Sequence, residues 1–383
     1  MRKIVFPAIV ALLLCIVSCS KDGQVDNATV LLSCMAPAFL SPGDKVALIS
    51  PSYFTPMENV DTTAMVLREW GLVPVVGQNV GETYLGKYAG TPKERLSDLL
   101  WALHDPTIKA ILCNRGGYGT IQLVDLLPLK EMTDNPKWLI GFSDITTLHG
   151  MENRAGVMSI HGTMSSLIAP HHGKDLSSTL VRDILMGTIP QYEIPPHPQN
   201  RYGKASGVLV GGNICTFAPV IGTAADVTAG EDLILFIEEV EENMHNIDRL
   251  FNTLILNGIL ERCKGVILGE FTDCAANLDY ESVEEMLVSY LKDYGIPVCC
   301  GFPGGHGDVN LPLIMGAPVE LEVTPEGSTL SFDIEGNREV IDAETVPPAD
   351  SLSAEKPLDL VGDKHYKVVR IYNFIKHYRG VRH

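Results

Sequence analysis

Positive charge is scarce in this 383-residue chain, where 29 Lys and Arg face 47 Asp and Glu for a formal net charge of −18. A surface that binds nucleic acid needs a basic face whose phosphate contacts release counterions, so the balance argues against that class and serves mainly solubility. Metal-ligand spacing is missing too: no HExxH occurs, and the nine cysteines contain no CxxC pair, which argues against a metal cluster. The first apolar strand, "KVAL", runs into "ISPSYF" without a glycine cluster, so the dinucleotide fingerprint is absent. No internal repeat or low-complexity tract appears.

What is present is enough chain for two packed domains. The first twenty residues, "MRKIVFPAIVALLLCIVSCS", read as a secretory leader. Arg2 and Lys3 form a basic n-region, and Ile4 to Leu14 form an apolar h-region too short to span a bilayer as a mature helix. Ile16-Val17-Ser18-Cys19 resembles a bacterial lipobox. That implies cleavage after residue 18, lipidation of Cys19 and a membrane-anchored protein of the cell envelope; residues 19–40 are then a tether. Loss of residues 1–18 removes two basic residues and no acid, bringing the charge to −20. Cys34, Cys113, Cys215, Cys263, Cys274, Cys299 and Cys300 remain, an odd set. Several sit in apolar strand-like runs such as "KAILCN" and "IPVCCGF", where cysteine packs as a small hydrophobe.

Between residues 41 and 185 apolar strands alternate with helical patterns. "KVALIS", "VPVVG", "KAILCN" and "KWLIGFS" read as strands, and "TAMVLREWGL" as a helix. Thr91, Pro92 and Glu94 make a capping box that opens a helix with Leu96, Leu99, Leu100 and Leu103 on one face. Alternation of this kind predicts an α/β domain with a parallel sheet, whose functional groups collect at the carboxyl ends of the strands. Residues 186–205, rich in proline and polar residues, read as a linker. Residues 206–343 hold more strand-like runs and two evident helices, "NIDRLFNTLILNG" and "ESVEEMLVSYLKDYG", predicting a mixed, β-rich domain. A C-terminal extension, 344–383, ends in a segment with six Lys or Arg and no acid from Lys364 onward. It could touch an anionic surface or be a loosely docked tail.

Four local features could carry chemistry, and each has a plainer reading. Ser143 in "GFSDIT" stands where a strand meets a helix, the geometry of an exposed nucleophile and equally of an N-cap; the second glycine of G-x-S-x-G is missing. "NRGGYGT", residues 114–120, can present backbone N–H groups to an oxyanion or simply turn the chain. "LILFIEEVEEN" drives an apolar strand into Glu238, Glu239, Glu241 and Glu242, which can orient a histidine or face water. His306, in the Gly-rich loop "GFPGGHGDVNLP", suits proton transfer near neutral pH, or is incidental.

Taken together, "NRGGYGT", "GFSDIT", "GVLVGGN", "FIEEVEE...IDRLFNTL" and "GGHG...LPL" resemble, in order and approximate spacing, the motifs of the LD-carboxypeptidase family of serine peptidases. That family includes the muramoyl-tetrapeptide carboxypeptidases and a microcin C immunity peptidase. The resemblance runs from about Ser41 to Asp342. It implies an N-terminal flavodoxin-like parallel-sheet domain and a C-terminal mixed domain with a β-barrel-like core, with the site between them. It implies Ser143 as nucleophile, His306 as general base and Glu238 (or Glu239) as the orienting acid. Backbone N–H groups of Gly117 (or Gly116) and Asp144 would form the oxyanion hole, and no metal or organic cofactor is required. Arg115 could receive a substrate carboxylate or pair within its loop, and His161, in "SIHGTM", could line the pocket. The implied substrate is a peptidoglycan tetrapeptide that loses its terminal D-alanine, and a homodimer is suggested. Cleavage of peptide- or aminoacyl-nucleotide conjugates is an alternative, as is a non-catalytic muropeptide-binding lipoprotein, which would have no use for Ser143, Glu238 and His306 together. The leader is a departure from the cytoplasmic members.

Overall fold

Five short apolar stretches build the first sheet: β1 (Lys45–Ile49), β2 (Val73–Val76), β3 (Ile108–Cys113), β4 (Trp138–Gly141) and β5 (Ser159–His161). The computed structural model of the chain describes residues 34–276 and 279–334, together with the strands Asn337–Arg338 and Lys367–Arg370. The leader, Cys19 and the rest of the C-terminal extension lie outside the described residues, so the anchoring expected at Cys19 has no structural counterpart here. Among the described residues no helix is long and apolar enough to cross a membrane.

The sheet order is β2-β1-β3-β4-β5, all parallel, the flavodoxin-like order whose switch point lies between β1 and β3. β1, β3 and β4 are covered on both faces by helices, which is why they read as unbroken apolar runs. The helix Pro92–His104 starts as expected, with Thr91 Oγ1 accepting from Glu94 N and Glu94 returning a bond to the Thr91 N–H.

The second sheet is mixed. It contains β6 (Thr188–Ile194), β7 (Gly203–Asn213), β8 (Leu233–Val240), β9 (Cys263–Thr272) and β10 (Val298–Cys300). β11 (Leu313–Met315) leaves for the first sheet, and β12 (Pro318–Thr324) and β13 (Gly327–Phe332) return to the second. β7 to β10 are mutually parallel, whereas β12 pairs antiparallel with β7 and β13, and β13 with β6. The helices Met244–Leu256 and Val283–Leu291 begin at side-chain caps from Asn243 and Ser282.

Two boundaries differ from the sequence reading. Residues 186–205 are not a free linker: β6 lies inside the second sheet, with Ile189, Tyr192 and Ile194 buried. The prolines around that strand obscured its alternation. Residues 34–40 are packed rather than a tether, for Cys34 and Leu40 are buried, Phe39 stacks on Trp138 and Met35 N donates to Gly156 O. All seven described cysteines are free thiols, five of them buried.

The two sheets share one interior. β11 pairs antiparallel with β5, placing Leu313 opposite His161. A single apolar cluster runs from Leu48, Trp138 and Ile140 through Leu313 to Phe236, Ile267 and Leu321. The loop between β10 and β11 therefore spans from one sheet to the other, with His306 on it.

Candidate active site

Four stretches that carry candidate residues lie at the carboxyl ends of parallel strands. Ser50 to Tyr53 follow β1, the glycine loop follows β3, Phe142 and Ser143 follow β4, and Glu238 and Glu239 lie in the last turns of β8. The parallel strands of both sheets thus point their carboxyl ends at one region.

The backbone of Ser143 does not fit the N-cap reading. Its φ is +63°, in the left-handed region that a serine enters at a cost of about 1–2 kcal/mol and that an N-cap residue does not use. Phe142, before it, is extended, and Ser143 begins a short 3-10 turn, Ser143–Ile145, with no side-chain cap; the helix Thr146–Arg154 follows. The hydroxyl caps nothing. A strained residue between strand and helix is what lifts a side chain clear of both.

The glycine loop lies directly on that serine. A Cβ at Gly116 would sit 2.9 Å from Ser143 Cβ and 3.2 Å from its Oγ, and one at Gly117, whose φ is +116°, would strike the Tyr53 ring at 2.3 Å. A side chain at Gly116 would crowd Ser143 Oγ, and one at Gly117 would displace the Tyr53 ring. Asn114 anchors the start of the loop, its amide donating to Ser50 Oγ while Ser165 Oγ donates to its carbonyl. Tyr53 N donates to Gly116 O.

Glu238 and His306, 68 residues apart in sequence, meet at 2.7 Å between Oε2 and Nδ1. The carboxyl is fully buried and the imidazole side chain 18% exposed. Gly305 makes the approach possible, since its φ is +122° and a Cβ there would lie 2.6 Å from Glu238 Oε2. Burial alone would lower the His306 pKa, but the hydrogen bond and charge of Glu238, with Glu239 and Glu241 behind it, raise it above the ordinary histidine value. Burial pushes the Glu238 carboxyl upward, and His306 opposes that. The bond engages Nδ1, leaving Nε2 as the ring nitrogen available for proton transfer. The ring lies 4.9 Å, centroid to centroid, from Phe142, the residue preceding Ser143. Ser143 Oγ and His306 are not hydrogen-bonded to each other.

Glu239 is differently employed. Its Oε1 accepts from Asn213 Nδ2 and Val240 N, and its Oε2 from Cys215 N, so it holds the end of β7. Asn213 N in turn donates to Thr146 Oγ1, and a Cβ at Gly212 would fall 2.6 Å from the same oxygen. The end of β7 is thereby fixed to the helix that follows Ser143. Arg115 is exposed and forms no salt bridge among the described residues. His161 is completely buried rather than lining an open surface, edge-on to Phe142 and Phe236, and neither ring nitrogen has a protein partner. Burial holds its pKa well below the ordinary value. No group of three or more His, Cys, Asp or Glu among the described residues is arranged to hold a metal ion.

Sequence reading passed over the aromatic rim of this region. Tyr53, Tyr84, Tyr88 and Tyr118 form a chain of ring contacts 5.6–6.4 Å apart, with Tyr84 40% and Tyr118 49% exposed. Their positions in "SYF", "TYLGKY" and "GGYG" carry no periodic signal, because three separate loops bring them together. The buried Arg95, on the helix Pro92–His104, and the Asp144 side chain give no sequence signal either, because only the fold brings them beneath the loop.

Comparison with known proteins places the chain in a family. Residues 46–162 match the LD-carboxypeptidase N-terminal domain, and residues 206–321 the LD-carboxypeptidase C-terminal domain. The murein tetrapeptide carboxypeptidase of Pseudomonas aeruginosa is 32% identical over 289 residues, covering 73% of this chain and 93% of that protein. The microcin C7 self-immunity protein MccF of Escherichia coli is 27% identical over 320 residues, 74% of this chain and 92% of its own. Among solved structures, a muramoyltetrapeptide carboxypeptidase from Oxalobacter formigenes superposes with a TM-score of 0.68 at 23% identity, covering 76% of this chain and 99% of that one. With both halves matched in order and the fold shared over about three quarters of its length, the chain belongs to the LD-carboxypeptidase family, a family of hydrolytic peptidases.

Proposed function

We propose that the protein is a serine carboxypeptidase that hydrolyses an LD-amide bond, releasing the terminal D-alanine of peptidoglycan tetrapeptides. The observation that carries this reading is the buried Glu238–His306 pair, held at 2.7 Å and facing the loop that presents a strained Ser143. In this reading Ser143 Oγ attacks the amide carbonyl while His306 Nε2 takes its proton. Backbone N–H groups of Gly117 and Asp144 receive the developing oxyanion, and the imidazolium, stabilised by Glu238, returns the proton to the leaving D-alanine amine. Water then repeats the cycle on the acyl-enzyme. Arg115, exposed beside the glycine loop and without a salt bridge among the described residues, is the cationic group offered to the terminal carboxylate. The similarity to a murein tetrapeptide carboxypeptidase supports the choice of substrate. Lipidation at Cys19 would hold the enzyme in the envelope, beside peptidoglycan.

The tyrosine rim favours a second reading, cleavage of aminoacyl-nucleotide conjugates, since exposed aromatic rings stack nucleobases. One of the similar structures is MccF in complex with glutamyl sulfamoyl guanosine. A single experiment separates the two. The soluble chain lacking residues 1–19 is incubated with purified tetrapeptide, or with an aminoacyl adenylate analogue, and free D-alanine or amino acid is measured. Release of D-alanine by the wild type but not by Ser143→Ala is the expected result. No release from the tetrapeptide overturns the carboxypeptidase assignment, and equal release by the variant overturns the nucleophile.

A further inference from the structure

Directly beneath Ser143 the chain buries an ionisable network that the reaction as described does not use. Asp144 is 4% exposed, and its Oδ2 accepts from Ser52 Oγ at 2.6 Å and from Thr120 N at 2.9 Å. Thr120 Oγ1 donates to the Asp144 carbonyl at 2.6 Å. Three loops, those after β1, β3 and β4, are thus joined at one residue. Arg95, 1% exposed, reaches the same place from the helix Pro92–His104, its Nη1 donating to Pro51 O at 2.7 Å and Gly119 O at 2.9 Å and its Nη2 to Gln122 Oε1. Gly119, with φ +135°, accommodates that guanidinium, since a Cβ would fall 2.7 Å from Nη1.

A surface loop of glycines has no side chains with which to hold itself, and an oxyanion hole works only if its N–H groups are fixed before reaction. Here the fixing comes from below. The glycine loop is gripped at its end by Asp144 and Arg95, and Asp144 is also the residue whose N–H follows the strained serine. We propose that the Asp144 carboxyl, acting with Ser52 and Arg95, is a positioning group that sets the glycine-loop amides and the Ser143 turn in register for the transition state. The inference rests on the nucleophile reading of Ser143 given above. Ser52 acts in it only through Asp144.

The test is kinetic, with two readouts on the soluble chain: D-alanine release from tetrapeptide, and the rate at which a fluorophosphonate labels Ser143. Asp144→Ala is expected to lower kcat on the order of 100-fold, with KM within about threefold and labelling slowed in parallel. Asp144→Asn, which keeps an acceptor oxygen for Ser52 and Thr120, is expected to recover at least tenfold of the loss. Ser52→Ala should lower kcat several-fold in the wild-type background and add nothing to Asp144→Ala, the signature of residues acting as one unit. A kcat for Asp144→Ala within about threefold of wild type overturns the proposal. So does a loss confined to KM, or losses for Ser52→Ala and Asp144→Ala that multiply. Should Asp144→Ala fail to fold, Ser52→Ala and Thr120→Val carry the test, and an unchanged kcat in both overturns it. A wild type that is labelled but releases no D-alanine defeats the substrate assignment while leaving the positioning role measurable by labelling. A wild type that is not labelled defeats the nucleophile and the positioning role with it.

Discussion

Ser143 carries strain that a hydroxyl does nothing to relieve, so its replacements separate stability from chemistry. At φ +63° glycine escapes a left-handed penalty of about 1–2 kcal/mol but adds about 0.5–1 kcal/mol of unfolded-state entropy. Ser143→Gly should therefore be as stable as wild type or more stable by up to about 1.5 kcal/mol, measured by urea unfolding, while losing D-alanine release. Ser143→Ala should lose activity on the order of 10⁵-fold or more without that gain. With His306 as the proposed base, the expected pH dependence follows from its pairing with Glu238. Because Glu238 raises its pKa, the neutral base forms only above the ordinary histidine value of about 6.5. The acid limb of kcat/KM should therefore have its midpoint above that value. Glu238→Gln removes the negative charge but not the burial, so the midpoint should move to lower pH while the rate falls; an upward shift, in a pH–rate profile, would contradict the pairing.

Among the elements, the loop from β10 to β11 decides whether the pair forms at all. At Gly305 a Cβ meets Glu238 Oε2 at 2.6 Å with φ +122°, whereas Gly43, at φ +95°, has nothing within 4 Å of its added Cβ. Both alanine variants should lose about 1 kcal/mol to backbone strain. Only Gly305→Ala should also lower kcat, on the order of tenfold or more, because it pushes the carboxyl away from His306. Thermal unfolding alongside D-alanine release checks the contrast. These elements were unequally legible. β1, β3, β4 and β8 announce themselves as apolar runs, and the Thr91 capping box fixed a helix start to the residue, because each signal is local. β6 hid behind its prolines. "LPLIMGAPVELEV" reads as one apolar stretch, yet Gly316, at φ +80°, divides it between the two sheets. Ser143 and His306 stood out only as motifs at strand ends. The Asp144–Ser52–Arg95 network gave no signal, since Ser52 and Asp144 lie on different turns, Arg95 lies within a helix, and only the fold brings the three together.

The whole molecule is bound by β11 and by the apolar cluster that runs from Trp138 to Leu321, so the two halves should unfold in one transition. A buried group in that shared interior then reports on global stability. Glu152, on the helix Thr146–Arg154, is 2% exposed, and its Oε2 has no hydrogen-bond partner. The next residue, Asn153, donates to Met315 O on β11, so this helix end unfolds with both sheets. Burial raises the Glu152 pKa well above the ordinary carboxyl range. The sign follows from linkage: above the unfolded value of about 4.3 the unfolded chain has released this proton while the folded one retains it. Glu152 therefore makes wild-type stability fall as pH rises, up to its folded pKa. Glu152→Gln lacks that slope, and its advantage over wild type should grow by up to about 1.4 kcal/mol per pH unit across this window. Urea unfolding of both proteins at pH 5 and pH 8 measures the difference. A Gln variant whose relative stability stays flat between those values would mean that Glu152 is ionised in the folded protein and held by a partner, and that this corner of the shared core is more polar than its burial indicates.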